Sequence, residues 1–199
     1  MVGRQDRALR ASATVPSEDA RDVGLMERIA RRDPRAFEEL YRSYHPRLRR
    51  FLFNMLRRPH LSDEVLNDTL LVVWRQPERY NGRSKVSTWI YAIAYRQALK
   101  ALRRCDDPVD DRAAEARPSG EAGPEQQLGV RQAQDALLRA MGELSPDHRA
   151  VIDLTYFHQL GYREIAELMG CPPDTVKTRM FHARRRLKTK LSGELADWL

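Results

Sequence analysis

One stretch near the C-terminus constrains this chain most: Gly161–Lys190, GYREIAELMGCPPDTVKTRMFHARRRLKTK. It reads as a short helix, a tight turn and a longer basic helix. At about 100° per residue from Val176, the residues Met180, Ala183 and Leu187 fall within about 40° and form one apolar stripe. Almost opposite lie Thr178, Phe181, His182 and Arg185, flanked by Lys177, Arg184 and Lys188. Pro173 suits a first helical turn, where its missing N–H needs no partner, and Asp174 favours the positive end of the helix dipole. The preceding helix turns Ile165, Leu168 and Met169 inward, and Gly170 closes it. Two helices with matched apolar faces and a tight turn make a helix-turn-helix whose second helix has the charge to lie on DNA. Phe181 among cations needs a cover, and a thymine methyl or a sugar would supply it. A solvated basic helix on a small bundle is the competing reading of these residues alone.

The rest of the chain bounds the answer. Its 199 residues allow one or two small domains, and a net charge of +7 with a pI near 9.7 makes polyanions fitting partners. No apolar run approaches the roughly 20 residues of a membrane span. The N-terminus carries charge without an apolar core, so a signal peptide is not expected. Cys105 and Cys171 are far apart and outside any CxxC pair, which argues against a disulfide framework or a zinc site and fits a reducing cytoplasm.

Periodicity divides the chain. Residues 1–24 are polar, rich in Arg and Ala, and are read as a mobile N-terminal tail. Residues 25–104 follow a helical pattern. Asp33-Pro34 opens one helix through Phe37, Leu40, Tyr41 and Tyr44, and Pro46 starts the next, with Leu48, Phe51, Leu52 and Met55 inward. Ser62-Asp63-Glu64 is read as a cap before a helix from Val65 to Trp74. A loop, Gln76–Lys85, precedes a long helix, Val86–Arg104. Residues 105–125 are an acidic linker: from Asp106 to Glu125 there are seven acids, two arginines, three prolines and two glycines. Helical periodicity resumes over 126–195, with Ser145-Pro146 opening a helix that carries Val151, Ile152, Leu154, Tyr156 and Phe157. The expected fold class is all-α: two small helical domains joined by a flexible acidic linker.

The helix Val86–Arg104 has two apolar faces, one of Val86, Ile90, Ile93 and Ala94, the other of Tyr91, Tyr95, Ala98 and Leu102. Between them Trp89, Arg96, Lys100 and Arg103 line one edge, and the preceding loop adds Arg79, Tyr80, Arg83 and Lys85. Aromatics interleaved with cations suit single-stranded DNA, because cations follow the backbone while rings receive unstacked bases. An aromatic core with a solvated basic edge fits the same composition. On the helix before it, Asp63, Glu64, Asn67 and Asp68 share a patch beside Val65, Leu66 and Leu70. That patch would repel DNA and suggests a protein partner, although a capped surface helix reads the same way.

Four segments in order resemble a bacterial RNA polymerase sigma factor of the extracytoplasmic-function (ECF) subfamily: DPRAFEELYRSYHPRLRRFL, LSDEVLNDTLLVVWR, RSKVSTWIYAIAYRQALKALRR and GYREIAELMGCPPDTVKTRMFHARRRL. Any one is moderately specific; their order around a variable tether carries the resemblance. It implies that residues 25–104 are sigma region 2 and 126–195 sigma region 4. Core polymerase docking, on the β′ clamp helices, would fall to Asp63, Glu64, Asn67, Asp68, Leu70 and Trp74. Recognition and melting of the −10 element would fall to Arg79, Tyr80, Asn81, Arg83, Lys85, Trp89, Arg96, Lys100 and Arg103. The −35 element would be read in duplex form by Lys177, Thr178, Arg179, Phe181, His182, Arg184 and Arg185, with Arg179, nearer the core edge, on phosphate. The chain departs from the family pattern at His182 (often Arg), at Asn67 (often Gln), and at Arg96 and Lys100 (often Asn and Asp), the last two making the −10 surface more basic.

The resemblance implies a promoter-specificity subunit and no enzyme. Its partners would be core RNA polymerase (through the clamp helices and the β flap), promoter DNA and an anti-sigma factor. It implies no cofactor, metal, small-molecule substrate or membrane insertion, a cytoplasmic location, and no appended C-terminal sensor domain. Two rivals make different demands. A helix-turn-helix repressor or response regulator needs a dimerisation element and a ligand or phosphorylation domain. A nucleic-acid-modifying enzyme needs clustered carboxylates or a His/Cys metal set, whereas His45, His60, His148, His158 and His182 are scattered.

Overall fold

The computed structural model describes residues 18–105 and 136–194, and every regular element among them is helical. The N-terminal bundle comprises α1 (Glu18–Ala30), α2 (Pro34–Leu56), α3 (Pro59–Arg75), a short 3-10 turn (Pro77–Arg79) and α4 (Val86–Arg104). The C-terminal bundle comprises helical residues 136–142 (α5), α6 (Pro146–Tyr156), α7 (Tyr162–Met169) and α8 (Pro173–Glu194). The acidic stretch 106–125, residues 126–135 and residues 1–17 lie outside the described residues.

Local chemistry starts several helices where expected. The Asp33 carboxylate accepts the Arg35 and Ala36 N–H groups at 2.9 and 3.4 Å, with Pro34 just inside α2. Ser145 Oγ accepts the His148 N–H at 3.4 Å at the head of α6. Gly170 closes α7 at φ +66°, a left-handed position that suits glycine. α4 has the bounds expected of it.

Three expectations are corrected. Residues 18–24, assigned to the tail, belong to α1: Asp22, Leu25, Met26 and Ile29 are buried, and the Tyr44 hydroxyl donates to the Asp22 carboxylate. Pro46 does not start a helix but sits inside the 23-residue α2. A proline within a helix costs about 3 kcal/mol. Here Leu40, Tyr44, Leu48, Phe51, Leu52 and Met55 form one buried stripe across it, which outweighs that cost. Arg47 Nε donates to the Ser43 carbonyl at 3.3 Å in the affected turn. Third, α3 begins at Pro59, so Ser62 is no cap: it is buried, and its hydroxyl donates to the Arg58 carbonyl at 2.8 Å. Proline at the first position had already fixed the start.

The bundles pack on each other, with α6 against α2 and α7 against α4, and one buried cluster runs through both. Arg149 of α6, 7% exposed, reaches across: Nε donates to the Met55 carbonyl in the last turn of α2, and Nη1 to the Gly142 carbonyl, both at 3.1 Å. It thereby caps α2, whose final carbonyls lack helical partners. Burial, with the neighbouring Arg57 charge, lowers its pKa to about 10.

Candidate nucleic-acid interface

α8 presents the two faces that its angles require. Val176, Met180 and Ala183 are buried, and Leu187 is half-buried. Lys177, Thr178, Phe181, His182, Arg184 and Arg185 are exposed. Phe181 is 61% exposed, the most open of the large apolar side chains among the described residues, and His182 sits edge-on to it at 5.5 Å between ring centroids. The face is partly pre-positioned. Lys177 Nζ pairs with the Asp174 carboxylate at 3.0 Å, the Thr178 hydroxyl donates to the Asp174 carbonyl, and the Arg184 guanidinium lies over the Tyr156 ring at 5.6 Å. His148 lines a recess beside His182, Arg185 and Arg186. Burial, then the nearby cations, holds its imidazole below the usual pKa, and its Nδ1 lies 2.8 Å from Ser145 Oγ. Nothing in the sequence pattern singled His148 out, because its place follows from how α6 crosses α8.

Arg179 departs from the other six. It is half-buried, and Nη2 pairs with Asp147 Oδ2 at 2.6 Å. Asp147 Oδ1 in turn accepts the Tyr95 hydroxyl of α4 at 2.7 Å. Burial, then that hydrogen bond to the carboxylate, raises the Tyr95 pKa.

On the N-terminal bundle, Arg79, Asn81, Arg83, Lys85, Arg96, Lys100 and Arg103 are exposed, while Tyr80 and Trp89 are half-buried with their rings 5.6 Å apart. The loop is shaped by its own polar groups. The Tyr80 hydroxyl donates to the Ser84 carbonyl at 2.8 Å, and Asn81 Oδ1 accepts the Arg83 N–H at 3.1 Å. Lys85 is engaged by α7: its ammonium meets the Glu164 carboxylate at 2.8 Å. That contact raises the lysine pKa and lowers that of the glutamate, which also accepts the Gly161 N–H.

On α3, Asp63, Glu64 and Asn67 are exposed and Asp68 is half-buried; Asp63 pairs with Arg49 at 3.3 Å. Trp74 is half-buried, 5.1 Å from the Phe37 ring. Leu70 requires correction. It is 2% exposed and faces the core, so no partner can touch it; its neighbour Leu71, 40% exposed, shares the outer face with Asn67 and Asp68.

The arrangement defines a class: a two-bundle helical protein with a helix-turn-helix and a separate aromatic-basic edge, both suited to nucleic acid. Residues 40–106 match Sigma-70 region 2 and residues 134–187 match Sigma-70 region 4. The chain is 32% identical over 172 residues to the RNA polymerase sigma factor CarQ of Myxococcus xanthus, covering 85% of this chain and 97% of the relative. It is 30% identical over 172 residues to the ECF RNA polymerase sigma factor RpoE of Cereibacter sphaeroides, covering 85% and 94%. Among solved structures, CnrH in complex with the cytosolic domain of CnrY has a similar fold: TM-score 0.63 at 20% identity, over 87% of this chain and 99% of that one. RpoE of Bartonella quintana, in complex with the anti-sigma factor NepR, gives 0.62 at 24%, over 78% and 96%. The chain belongs to the ECF sigma factors of the sigma-70 family. Sigma factors are transcription initiation factors that bind core RNA polymerase and promoter DNA, not enzymes. Among the described residues no helix is long and apolar enough to cross a membrane.

Proposed function

We propose that residues 25–104 dock on core polymerase and open the −10 element, while residues 126–195 read the −35 element as duplex. The observation that carries this reading is the exposed Phe181 among Lys177, Thr178, His182 and Arg185 on a helix whose opposite face is buried. An open phenylalanine ring beside cations on one helix face offers an apolar contact for a thymine methyl or a sugar while the cations meet phosphate. The second DNA surface is the loop 76–85 with the edge Trp89, Arg96, Lys100 and Arg103, where rings and cations alternate as unstacked bases require. Asp63, Glu64, Asn67 and Asp68 with Leu71 form the polymerase-docking face. The chain does no chemistry: binding energy to unpaired bases drives opening. Its workplace is the cytoplasm, where core polymerase and promoters are, and its control falls to an anti-sigma factor, as the complex of similar fold with the anti-sigma factor NepR suggests.

Run-off transcription with purified core polymerase tests the reading. The full chain is expected to program initiation at a subset of promoters from a genomic library. Failure to program core at any promoter refutes it.

A further inference from the structure

Around the outer face of α8 the neighbouring acids are engaged. Asp174 pairs with Lys177, Asp147 with Arg179, and Glu143 with Lys190 at 2.9 Å. Arg185 and Arg186 have no carboxylate partner among the described residues. Both line one recess with His148 and His182, between α6 and α8. His148 and His182 also line a second recess that runs on to Thr178. The uncompensated positive charge is therefore continuous with the face assigned to the −35 duplex.

His148 is half-buried where the two recesses meet. Burial, then Arg186, His182 and Arg179, holds its imidazole below the usual pKa, against the pull of Asp147. The other charged groups facing it are Glu143, Arg185 and Lys190 in the first recess and Asp174 in the second. Ser145 Oγ, 2.8 Å from Nδ1, suits both states of the ring: the hydroxyl donates to a neutral Nδ1 and accepts from a protonated one. The ring can therefore gain a proton without turning. Its Nε2 has no hydrogen-bond partner among the described residues. An anion seated against it offsets the repulsion of the three cations and favours the imidazolium.

We propose that His148 of α6 is a DNA-contacting residue: with His182, Arg185 and Arg186 it seats one backbone phosphate beside the −35 element, and its ring takes up a proton from solvent as the phosphate arrives. The contact rests on the assignment of α8 to the −35 duplex, and it adds to that interface an element outside the recognition helix. A phosphate contact reads no base; it fixes the register of α8 on the duplex. The ligand is a phosphate of the strand. Side chains on an open surface hold a free ion weakly, whereas a strand already held by α8 presents its phosphate at high effective concentration.

The sign of the pH dependence follows from the free ring, whose value lies below 6.5. The proton-linked part of the affinity is full below that lowered value. It is lost as pH rises through the higher value of the ring in the complex.

Anisotropy titrations of the full chain test the contact, with a short duplex that the full chain selects from a random-sequence pool, at constant ionic strength. His148→Gln keeps a neutral N–H donor and cannot take the charge. It should bind within about 2-fold of wild type at about pH 8 and at least about 3-fold more weakly at about pH 6. His182 is present in both proteins and cancels in the comparison. His148→Lys, charged throughout, should steepen the slope of log affinity against log salt by about 0.9 at about pH 8. In wild type, the NMR titration midpoint of the His148 ring, assigned by its loss in His148→Gln, should rise when the duplex is added. Inorganic phosphate at equal ionic strength should displace no duplex; displacement specific to phosphate would assign the recess to the free ion and overturn the DNA contact. Equal loss in His148→Gln at both pH values, as a purely structural role requires, no loss at either, or an unmoved midpoint also overturns it. A pool that yields no duplex refutes the −35 reading and the contact with it, whereas duplex binding with a flat pH comparison refutes the contact alone.

Discussion

Leu70 and Leu71 are adjacent in sequence and opposite in fate, which makes them a paired test of the polymerase-docking face. Leu71 is 40% exposed. Full burial of a leucine side chain contributes about 2 kcal/mol, so covering the open part contributes about 0.8 kcal/mol. Leu71→Ala should then weaken core binding about 4-fold. The part of Leu71 already packed limits its effect on folding to about 1 kcal/mol. Leu70 is 2% exposed, and truncating a leucine so buried costs about 2–5 kcal/mol of stability. Leu70→Ala should therefore lower the thermal midpoint strongly, while its folded fraction binds core with unchanged affinity. Fluorescence competition for core polymerase gives the affinities, and calorimetry gives the stabilities. Wild-type affinity in a folded Leu71→Ala variant would refute the placement of the docking face.

Other perturbations probe separate parts of the molecule. Phe181→Ala should weaken binding to a −35 duplex about 5- to 10-fold in anisotropy titrations, because 61% of the ring awaits cover, while core affinity stays unchanged. Arg149→Ala leaves the Met55 and Gly142 carbonyls without their donor and should cost about 2–4 kcal/mol in chemical denaturation, with Arg149→Lys recovering part. Gly170→Ala places a Cβ at φ +66° and should cost about 1–2 kcal/mol of stability, visible as a lowered melting temperature. The Lys85–Glu164 contact sets a pH window. Glu164 is lowered in the docked state, so its contribution is present above pH 4.5 and lost as pH falls through the lowered value. Lys85 is raised, so its contribution is full below pH 10.5 and lost as pH rises through the raised value. Small-angle scattering should show a constant radius of gyration between these limits and expansion below the lower one. Glu164→Gln should expand less steeply there.

The helix-turn-helix was legible because its determinants are local. Val176, Met180, Ala183 and Leu187 repeat at helical spacing, Gly170 meets the conformational demand of the turn, and Pro173 begins the next helix. No distant residue can alter those facts, so the outer face of α8 emerged with Phe181 and His182 in place. The extent of α4 was equally readable, from a loop rich in turn residues at one end and a composition break at the other. α3 was not, because it packs against both α2 and α4. Leu70 and Leu71 are about 100° apart on such a helix, and only the positions of its neighbours choose which turns inward. The continuity of α2 through Pro46 also depends on the core that its stripe fills. The docking of the bundles is the most non-local feature. Tyr95, Asp147 and Arg179 meet from three helices, and Asn54 meets Asp153 across 99 positions of chain. Such contacts leave no periodic trace, since each member is a single polar residue whose partner is set by how whole helices cross. The sequence by itself determined the two faces of α8 and the basic-aromatic edge of α4. Only the tertiary structure decided that Lys85 and Arg179 spend the docked state bound to carboxylates of the same chain.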